Sequence, residues 1–408
     1  MAENAAPEAS DALSSARKVS LREIALFFLR LGTTAFGGPA GHIAMMDDEL
    51  VRRRHWFSRE KFLDLLAASN LIPGPSSSEL AIHIGFLLAG WPGLLVAGIC
   101  FILPAACMVG ALAWAYLHFG ALPAVSTILY GIKPVVIAVI LQALWGLSRT
   151  AIKTKFLTLV AIFSVALSVL GLPPILLLVT GGASVALADL VIRFTRRPHA
   201  TAIAPFAVLR SLARWPISFR AATTGALAAV APFSLGSLFL VFLKIGAVVF
   251  GSGYVLLAFL RADLVVHRGW LTDSQLVDAI AIGQVTPGPV FTTATFIGYL
   301  LHGASGAVVA TVAIFLPAFL LVAASGPLLP RIRQSRIAGS FLDGVTVASL
   351  ALMTVVAWQL ARASITDATT AALAAASLFL LLRFRLNSAW LVSLGAIVGY
   401  LAHRLHWH

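Results

Sequence analysis

The chain is 408 residues long, 60% hydrophobic and only 11% charged, with a mean hydropathy of +0.95. Most segments have no polar face to turn toward water, which excludes a soluble globular protein and identifies a polytopic membrane protein. The formal net charge of +13 then reads as basic cytoplasmic loops rather than a nucleic-acid surface, with attraction of anions a weaker inference.

Residues 1–19 are rich in Ala, Ser and acids and lack a basic stretch followed by an apolar core. They are expected to form a disordered tail, with targeting left to the first membrane segment. That segment runs from about Leu21 to Met46 and ends in a charged loop, Asp47 to Lys61, which contains Arg52-Arg53-Arg54. The next, about Phe62 to Gly90, is interrupted by Ile72-Pro73-Gly74-Pro75. Each proline lacks an amide hydrogen and pushes its predecessor toward extended geometry, so two half-helices are expected. Four apolar segments follow near 92–117, 127–148, 156–171 and 174–194. Cys100 and Cys107 lie two turns apart on one helix face and imply neither a disulfide nor a metal framework. In the linker 196–232, Arg196, Arg197, Arg210, Arg214 and Arg220 interleave with Phe206, Leu209, Leu212 and Trp215, the pattern of a short interfacial helix. The apolar pattern then recurs near 234–259, 275–301 (broken at Pro287-Gly288-Pro289), 304–325, 337–361, 367–383 and 389–402.

The recurrence is a duplication. Adding 214 carries Gly32 to Gly246, Phe36 to Phe250, Trp56 to Trp270, Asp64 to Asp278 and Pro73-Gly74-Pro75 to Pro287-Gly288-Pro289. One residue is lost after the break, and adding 213 then carries Gly85 to Gly298, Gly90 to Gly303, Leu103-Pro104 to Leu316-Pro317 and Trp145 to Trp358. The domains are therefore a membrane repeat over 20–195, the linker, and a second repeat over 233–408. Loop charges orient them. Arg149 to Lys155 is basic where the loops at 118–126 and 171–174 are not, and the equivalent loops of the second copy show the reverse pattern. By the positive-inside rule the copies face opposite ways. That requires an odd number of crossings per copy, met by five crossings plus a proline-broken re-entrant hairpin. The expected fold is an all-α polytopic membrane protein of two inverted-topology repeats, the architecture of secondary transporters.

A broken helix in lipid is tolerated only where its backbone is buried in protein or lines a cavity. Paired half-helix N-termini present amide hydrogens and positive dipole ends to one space, which suits an anion. The candidate substrate-binding residues are therefore Pro73, Gly74, Pro75, Ser76, Ser77, Ser78 and Glu79 at the first break, with Gln284, Pro287, Gly288, Pro289 and Thr292 at the second. The hydroxyls, Thr293 and Thr295 included, serve as helix caps in the plainer reading. Gly37, Gly38 and Gly251 allow close backbone approach, to a ligand or to another helix. Arg30 aligns with Lys244, so each copy carries one cation in its first segment. Such a pair would draw a divalent anion, unless each side chain snorkels or pairs with an acid. Glu79 has no acidic counterpart and reads either as a proton carrier or as an acid at a helix N-terminus. Lys133 and Asp343 lie near the starts of equivalent segments, and His42 and His83 read as structural. With no nucleophile triad, metal-ligand cluster or Walker motif, neither an enzyme, a cofactor nor ATP-driven transport within this chain is expected.

The stretches Phe36-Gly37-Gly38-Pro39-Ala40-Gly41-His42-Ile43, Pro73-Gly74-Pro75-Ser76-Ser77-Ser78-Glu79, Phe250-Gly251-Ser252-Gly253-Tyr254, Gly283-Gln284-Val285-Thr286-Pro287-Gly288-Pro289 and Ile314-Phe315-Leu316-Pro317 carry a resemblance. The sequence resembles the chromate ion transporter family in its long, two-domain form, over nearly all of both repeats. The resemblance implies a multi-pass inner (plasma) membrane protein that exports chromate from the cytoplasm and confers chromate resistance. Ser252 stands where a third glycine is common, and Ser76-Ser77 replaces a more usual Asn-Ser; both bear on selectivity more than on fold. The expected partners are chromate or a similar divalent oxyanion, membrane lipid and a coupling proton. A homodimer is left open, and nucleic acid is not a partner. A sulfate transporter and a passive anion channel are the alternatives, since sulfate shares chromate's size, charge and acceptors.

Overall fold

The computed structural model describes residues 19–36, 38–120, 122–195, 233–250, 253–384, 386 and 388–406. The expected tail up to residue 18, the expected interfacial linker and the candidate residues Gly37 and Gly251 lie outside the described residues.

Fourteen α-helices, with short 3-10 and π stretches and no strand, make up the described regular structure. The first copy holds α1 (Leu21–Thr34), α2 (Gly38–Met46) prolonged by a π stretch (Asp47–Arg53), α3 (Arg59–Ser69), α4 (Ser76–Phe119), α5 (Pro123–Ala151), α6 (Lys155–Val169) and α7 (Pro174–Thr195). The second holds α8 (Leu235–Val248), α9 (Leu256–Leu260) between a 3-10 turn (Gly253–Val255) and a π stretch (Arg261–His267), α10 (Asp273–Val285), α11 (Thr293–Gln334), α12 (Arg336–Ser364), α13 (Ala368–Phe384) and α14 (Ser388–His406). Helix starts are signalled locally and twice over. Ser20 accepts from the Glu23 amide while Glu23 returns to the Ser20 amide, and Ser234 with Ser237 repeats that box at α8. Ser58 caps α3 as Thr272 caps α10.

Five of the described stretches are long and apolar enough to cross a bilayer: Ser76–Phe119, Val125–Ala151, Pro174–Arg193, Val290–Ala324 and Arg336–Ser364. The chain is a membrane protein, and the large exposed side chains along these helices, such as Trp91, Leu95, Ile99, Trp145 and Trp358, are what a lipid-facing surface requires.

The structure differs from the sequence reading at the front of each copy. Leu21 to Met46 is expected to run as one segment; it is broken after Thr34, where Ala35 turns extended (φ −84°, ψ 106°). At 14 residues α1 reaches about 21 Å, short of the ~30 Å hydrocarbon core. Gly38 opens α2 at φ +66°, a conformation that costs a side chain but not glycine. Val249 repeats the extended break after α8. Each copy therefore has two breaks rather than one. Phe27 on α1 meets Trp56 beyond the π stretch at 6.1 Å, with Arg54 stacked over both rings, so α1 and α2 with its π stretch form a hairpin whose outer ends lie together.

Segment 62–90 is broken at Pro73-Gly74-Pro75, as expected, into α3 and the first arm of α4; that arm and segment 92–117 form one helical hairpin. α4 reverses at Ala89-Gly90 (Gly90 φ +60°), and α11 reverses at His302-Gly303 (Gly303 φ +60°). Gly85 then abuts the Gly93 backbone and Gly298 the Gly306 backbone, approaches that only residues without a Cβ permit. Across the hairpin of α11 the Thr295 and Thr311 hydroxyls lie 2.7 Å apart.

The copies are intertwined. α5 packs against α13 and α14 of the other copy, and α12 against α6 and α7, through the glycine contacts Gly131 to Gly395 and Gly399, and Gly344 to Gly181 and Gly182. At the centre, the long arm of α4 packs on the long arm of α11. Leu94 clusters with Val322, and Gly98 meets Phe319, so the start of one arm lies beside the end of the other. Equivalent helices that pack antiparallel are related by a twofold axis perpendicular to both. Since both arms belong to membrane-crossing helices, that axis lies in the membrane plane, which makes the repeats inverted.

Candidate substrate site

Four helix breaks meet where this axis passes. The Gly74 amide donates to the Val249 carbonyl at 2.7 Å, and the Gly288 amide donates to the Ala35 carbonyl at 3.0 Å. Gly74 and Gly288 are counterparts, as are Ala35 and Val249, so each proline-flanked break is tied to the first break of the opposite copy. Helix termini leave unpaired amides and carbonyls, and in lipid these must find protein partners. The crossed pair satisfies one of each per copy. Pro39 and Gly253, also counterparts, face each other nearby, with the proline ring 3.9 Å from the position of a Cβ on Gly253.

The polar groups at the breaks are asymmetric. In the first copy, His42 of α2 sits between the Ser77 hydroxyl (Nδ1 to Oγ, 3.2 Å) and the Ala35 carbonyl (Nε2 to O, 3.2 Å), and its ring packs edge-on against Phe101. Ser78 and Glu79 are wholly buried, and neither the Ser78 hydroxyl nor either Glu79 carboxyl oxygen has a hydrogen-bond partner among the described residues. Glu79 Oε1 lies against Gly74, at the place a Cβ there would fill. In the second copy Thr292, the counterpart of Glu79, donates to the Pro289 carbonyl at 2.7 Å, and Thr293 donates to the Val290 carbonyl at 2.8 Å. These hydroxyls close their own helix start. Gln284 accepts from the Tyr254 hydroxyl at 3.3 Å, which leaves its buried Nε2 with no partner among the described residues. Tyr254 in turn faces Gly38 across the axis, 4.0 Å from the position of a Cβ there.

The structure thus gathers Gly38, Pro73 to Glu79, Gln284, Pro287, Gly288, Pro289 and Thr292 around the crossed breaks. Arg30 and Lys244 stand elsewhere. Lys244 donates to Asp263 at 2.6 Å, the acid pairing that the sequence reading held open. Arg30 is exposed and lines a groove of about 360 Å³ with Phe27, Asp48, Glu49 and Arg53. Asp263 is the counterpart of Glu49, so both cations keep company with the π stretch of their own copy. Lys133 is taken up by Asp278 (3.2 Å) and Ser274 (2.7 Å), and Asp278 also accepts from Tyr116 at 3.0 Å. Asp343 pairs with Lys153 at 2.8 Å.

Sequence reasoning missed one member. His42, read as structural, holds α2 to Ser77. Tyr254, which donates to Gln284 and faces Gly38 of the opposite copy, was signalled only by its place after Gly253. Among the described residues no group of three His, Cys, Asp or Glu could hold a metal ion. What the centre offers among the described residues is a buried set of hydrogen-bond donors, half-helix N-termini of positive polarity and one carboxyl group.

A family model described as chromate transporter matches the chain twice, over residues 22–186 and 236–400. The chain is 33% identical to a chromate transport protein of Cupriavidus metallidurans over 98% of both chains. It is 31% identical to a probable chromate transport protein of Synechococcus elongatus, covering 86% of this chain and 87% of that one. It is 32% identical to a chromate transport protein of Pseudomonas aeruginosa, covering 85% and 83%. No solved structure matches it. Its two matched regions stand at the same offset of 214 residues that separates Gly74 from Gly288 and Ala35 from Val249, and this membrane protein belongs to the chromate transporter family.

Proposed function

We propose that the protein is a secondary active transporter that exports chromate from the cytoplasm across the inner membrane and thereby confers chromate resistance. The observation that carries the reading is the crossed pair of backbone hydrogen bonds, Gly74 to Val249 and Gly288 to Ala35, which holds four half-helix ends around one buried polar centre on the axis of two inverted repeats. Inverted repeats with discontinuous helices at the midplane suit alternating access, because rocking one repeat against the other exposes the same site to either side in turn. The names of the relatives supply the cargo.

In this reading the oxyanion sits at the breaks. Amides at the starts of the half-helices, the Ser78 hydroxyl and the Gln284 amide donate to its oxygens, while His42 holds Ser77 and Tyr254 holds Gln284 in place. Charge attraction comes chiefly from helix-end dipoles, since Lys244 is compensated by Asp263. Arg30 on α1 and Lys244 on α8 stand away from the breaks, each beside the π stretch of its own copy. Full transport by Arg30→Ala and Lys244→Ala variants that reach the membrane would remove them from the mechanism. Wild-type transport with alanine at Pro73, Gly74 and Pro75 together would remove the breaks.

Chromate uptake into everted membrane vesicles tests the function, with sulfate as competitor and an uncoupler as a second condition. Saturable uptake that collapses with uncoupler and resists equimolar sulfate is expected. Sulfate movement without chromate uptake would overturn the cargo, and flux that follows only the ion's electrochemical gradient would overturn active transport.

A further inference from the structure

We propose that Glu79 is the proton site of the transporter, and that a dianion binds at the breaks only together with a proton on Glu79. The inference rests on the reading above that an oxyanion occupies the crossed breaks. Four observations place the group. Glu79 is fully buried, with no hydrogen-bond partner at either carboxyl oxygen among the described residues. Its Oε1 lies against Gly74, the residue whose amide makes the crossed bond to Val249. No ion pair among the described residues involves it, although Lys133, Lys153 and Lys244 all hold acids elsewhere. Its counterpart in the second copy is Thr292, whose hydroxyl is closed onto the Pro289 carbonyl, so the second copy offers no carboxyl at the matching place.

The titratable groups of the surrounding elements do not compensate it. α2 brings His42, engaged with Ser77 and the Ala35 carbonyl. α3 brings Lys61, whose field falls on His83 one turn further along Glu79's own helix. The long arm of α4 brings Cys100, packed in the cluster of α1 and α2. The long arm of α11 brings Ala318 beside Gly74 and, with it, Val322 and Phe319. α1 brings Arg30, which lines the outer groove with Asp48 and Glu49. A divalent anion at the breaks would therefore meet Glu79 with no cation between them.

Two like charges a few ångströms apart in a buried site repel far more than in solvent, so ionised Glu79 and a bound dianion exclude one another. Binding the anion and binding the proton are then linked, each raising the affinity for the other by the same factor. The proton is taken from solvent and stays on Glu79 while the anion is bound; no covalent bond to the anion forms. The sign matters, because a group that released its proton on binding the anion would give exchange, whereas here proton and dianion leave together with one net negative charge, so that export is driven by the membrane potential and not by the pH gradient.

The test is chromate affinity of the purified full chain in detergent, by equilibrium dialysis, across pH 7.5 to 10, a range in which chromate is the dianion throughout. For wild type the dissociation constant is expected to rise toward tenfold per pH unit at the alkaline end, the slope of one linked proton. Glu79→Gln, which imitates the protonated acid, is expected to bind at least as tightly as wild type at neutral pH and to show no slope. Glu79→Ala is expected to lose the slope as well, which separates the charge from the amide. Monodisperse elution of each variant checks its fold. A flat wild-type profile, or a Glu79→Gln profile as steep as wild type, overturns the proposal while leaving an anion site intact. Absence of chromate binding by the wild type overturns the function on which it rests, and this assignment with it.

Discussion

Replacing Gly288 with alanine probes the centre of the molecule most directly. Gly288 sits at φ +96°, outside the backbone range that residues with a side chain favour; the strain of holding alanine in a left-handed conformation is about 1–2 kcal/mol. A Cβ there would stand 2.6 Å from the Ala105 Cβ and 3.2 Å from the Gly32 carbonyl oxygen. Both neighbours are fixed to the backbones of packed helices, α4 and α1, so relief requires a helix to move, at a further ~1–3 kcal/mol. Together the substitution is expected to cost ~2–5 kcal/mol, a factor of roughly 30 to several thousand in the folded population. The same movement would stretch the 3.0 Å bond from the Gly288 amide to Ala35. Gly303→Ala is the matched control, because Gly303 also has positive φ (+60°) but nothing lies within 4 Å of its Cβ position. It should cost only the backbone strain, about 1–3 kcal/mol at its φ +60° and ψ −150°. The assay is thermal stability in detergent by fluorescence-detected size exclusion, with chromate uptake in vesicles alongside. Gly288→Ala is expected to lose clearly more stability than Gly303→Ala and to lose transport. Equal shifts for the two variants would refute the claim that the breaks of opposite copies are packed against each other.

Gly74→Ala should differ from its counterpart, since a Cβ there meets the Glu79 carboxyl group, which can swing, and the Ala318 methyl at 3.8 Å; transport is expected to fall more than melting temperature. Lys133→Met leaves Asp278, only 3% exposed, without its cation, and is expected to cost about 3–5 kcal/mol, with a large part regained on adding Asp278→Leu; thermal unfolding of the single and double variants reads this out. Asp367, in the loop before α13, is held down to about 2 chiefly by the hydroxyl of Tyr130 donating to it, with the Thr370 amide adding to the effect. A depressed carboxyl group stabilises the folded state above its ordinary value of 3.8 and loses that contribution as pH falls toward 2, so Tyr130→Phe should reduce stability at neutral pH slightly and narrow the gap to wild type in acid; acid titration of the melting temperature checks the sign. His42→Ala, which frees Ser77, should weaken chromate binding while leaving expression intact, measured by equilibrium dialysis.

Much of the fold could be read from residue order alone. Hydropathy identifies a membrane protein because apolar surface on every side of a helix has no other stable environment. Two prolines around a glycine end a helix wherever they stand, so Pro73-Gly74-Pro75 and Pro287-Gly288-Pro289 mark breaks without any knowledge of their neighbours. The constant offset between them exposes the duplication, and loop charges suggest its inversion. The break after Thr34 escaped this reasoning because Ala35 and Phe36 carry no local prohibition; an extended backbone there is stable because the Ala35 carbonyl finds the Gly288 amide of the other copy. The same holds for the site. Residue types nominated Ser77, Ser78, Glu79 and Gln284, but which of them has a partner is decided by packing. Thr292 turns back to its own helix start, His42 reaches Ser77, and Glu79 is left without a partner among the described residues, since hydrogen bonds reach about 3 Å and depend on which helices lie side by side. Charge pairing followed the same rule. Lys244 and Arg30 are equivalent in sequence and lie within apolar helices, yet Lys244 meets Asp263 across 2.6 Å while Arg30 lines an open groove, a difference that only the arrangement of helices around each side chain could produce.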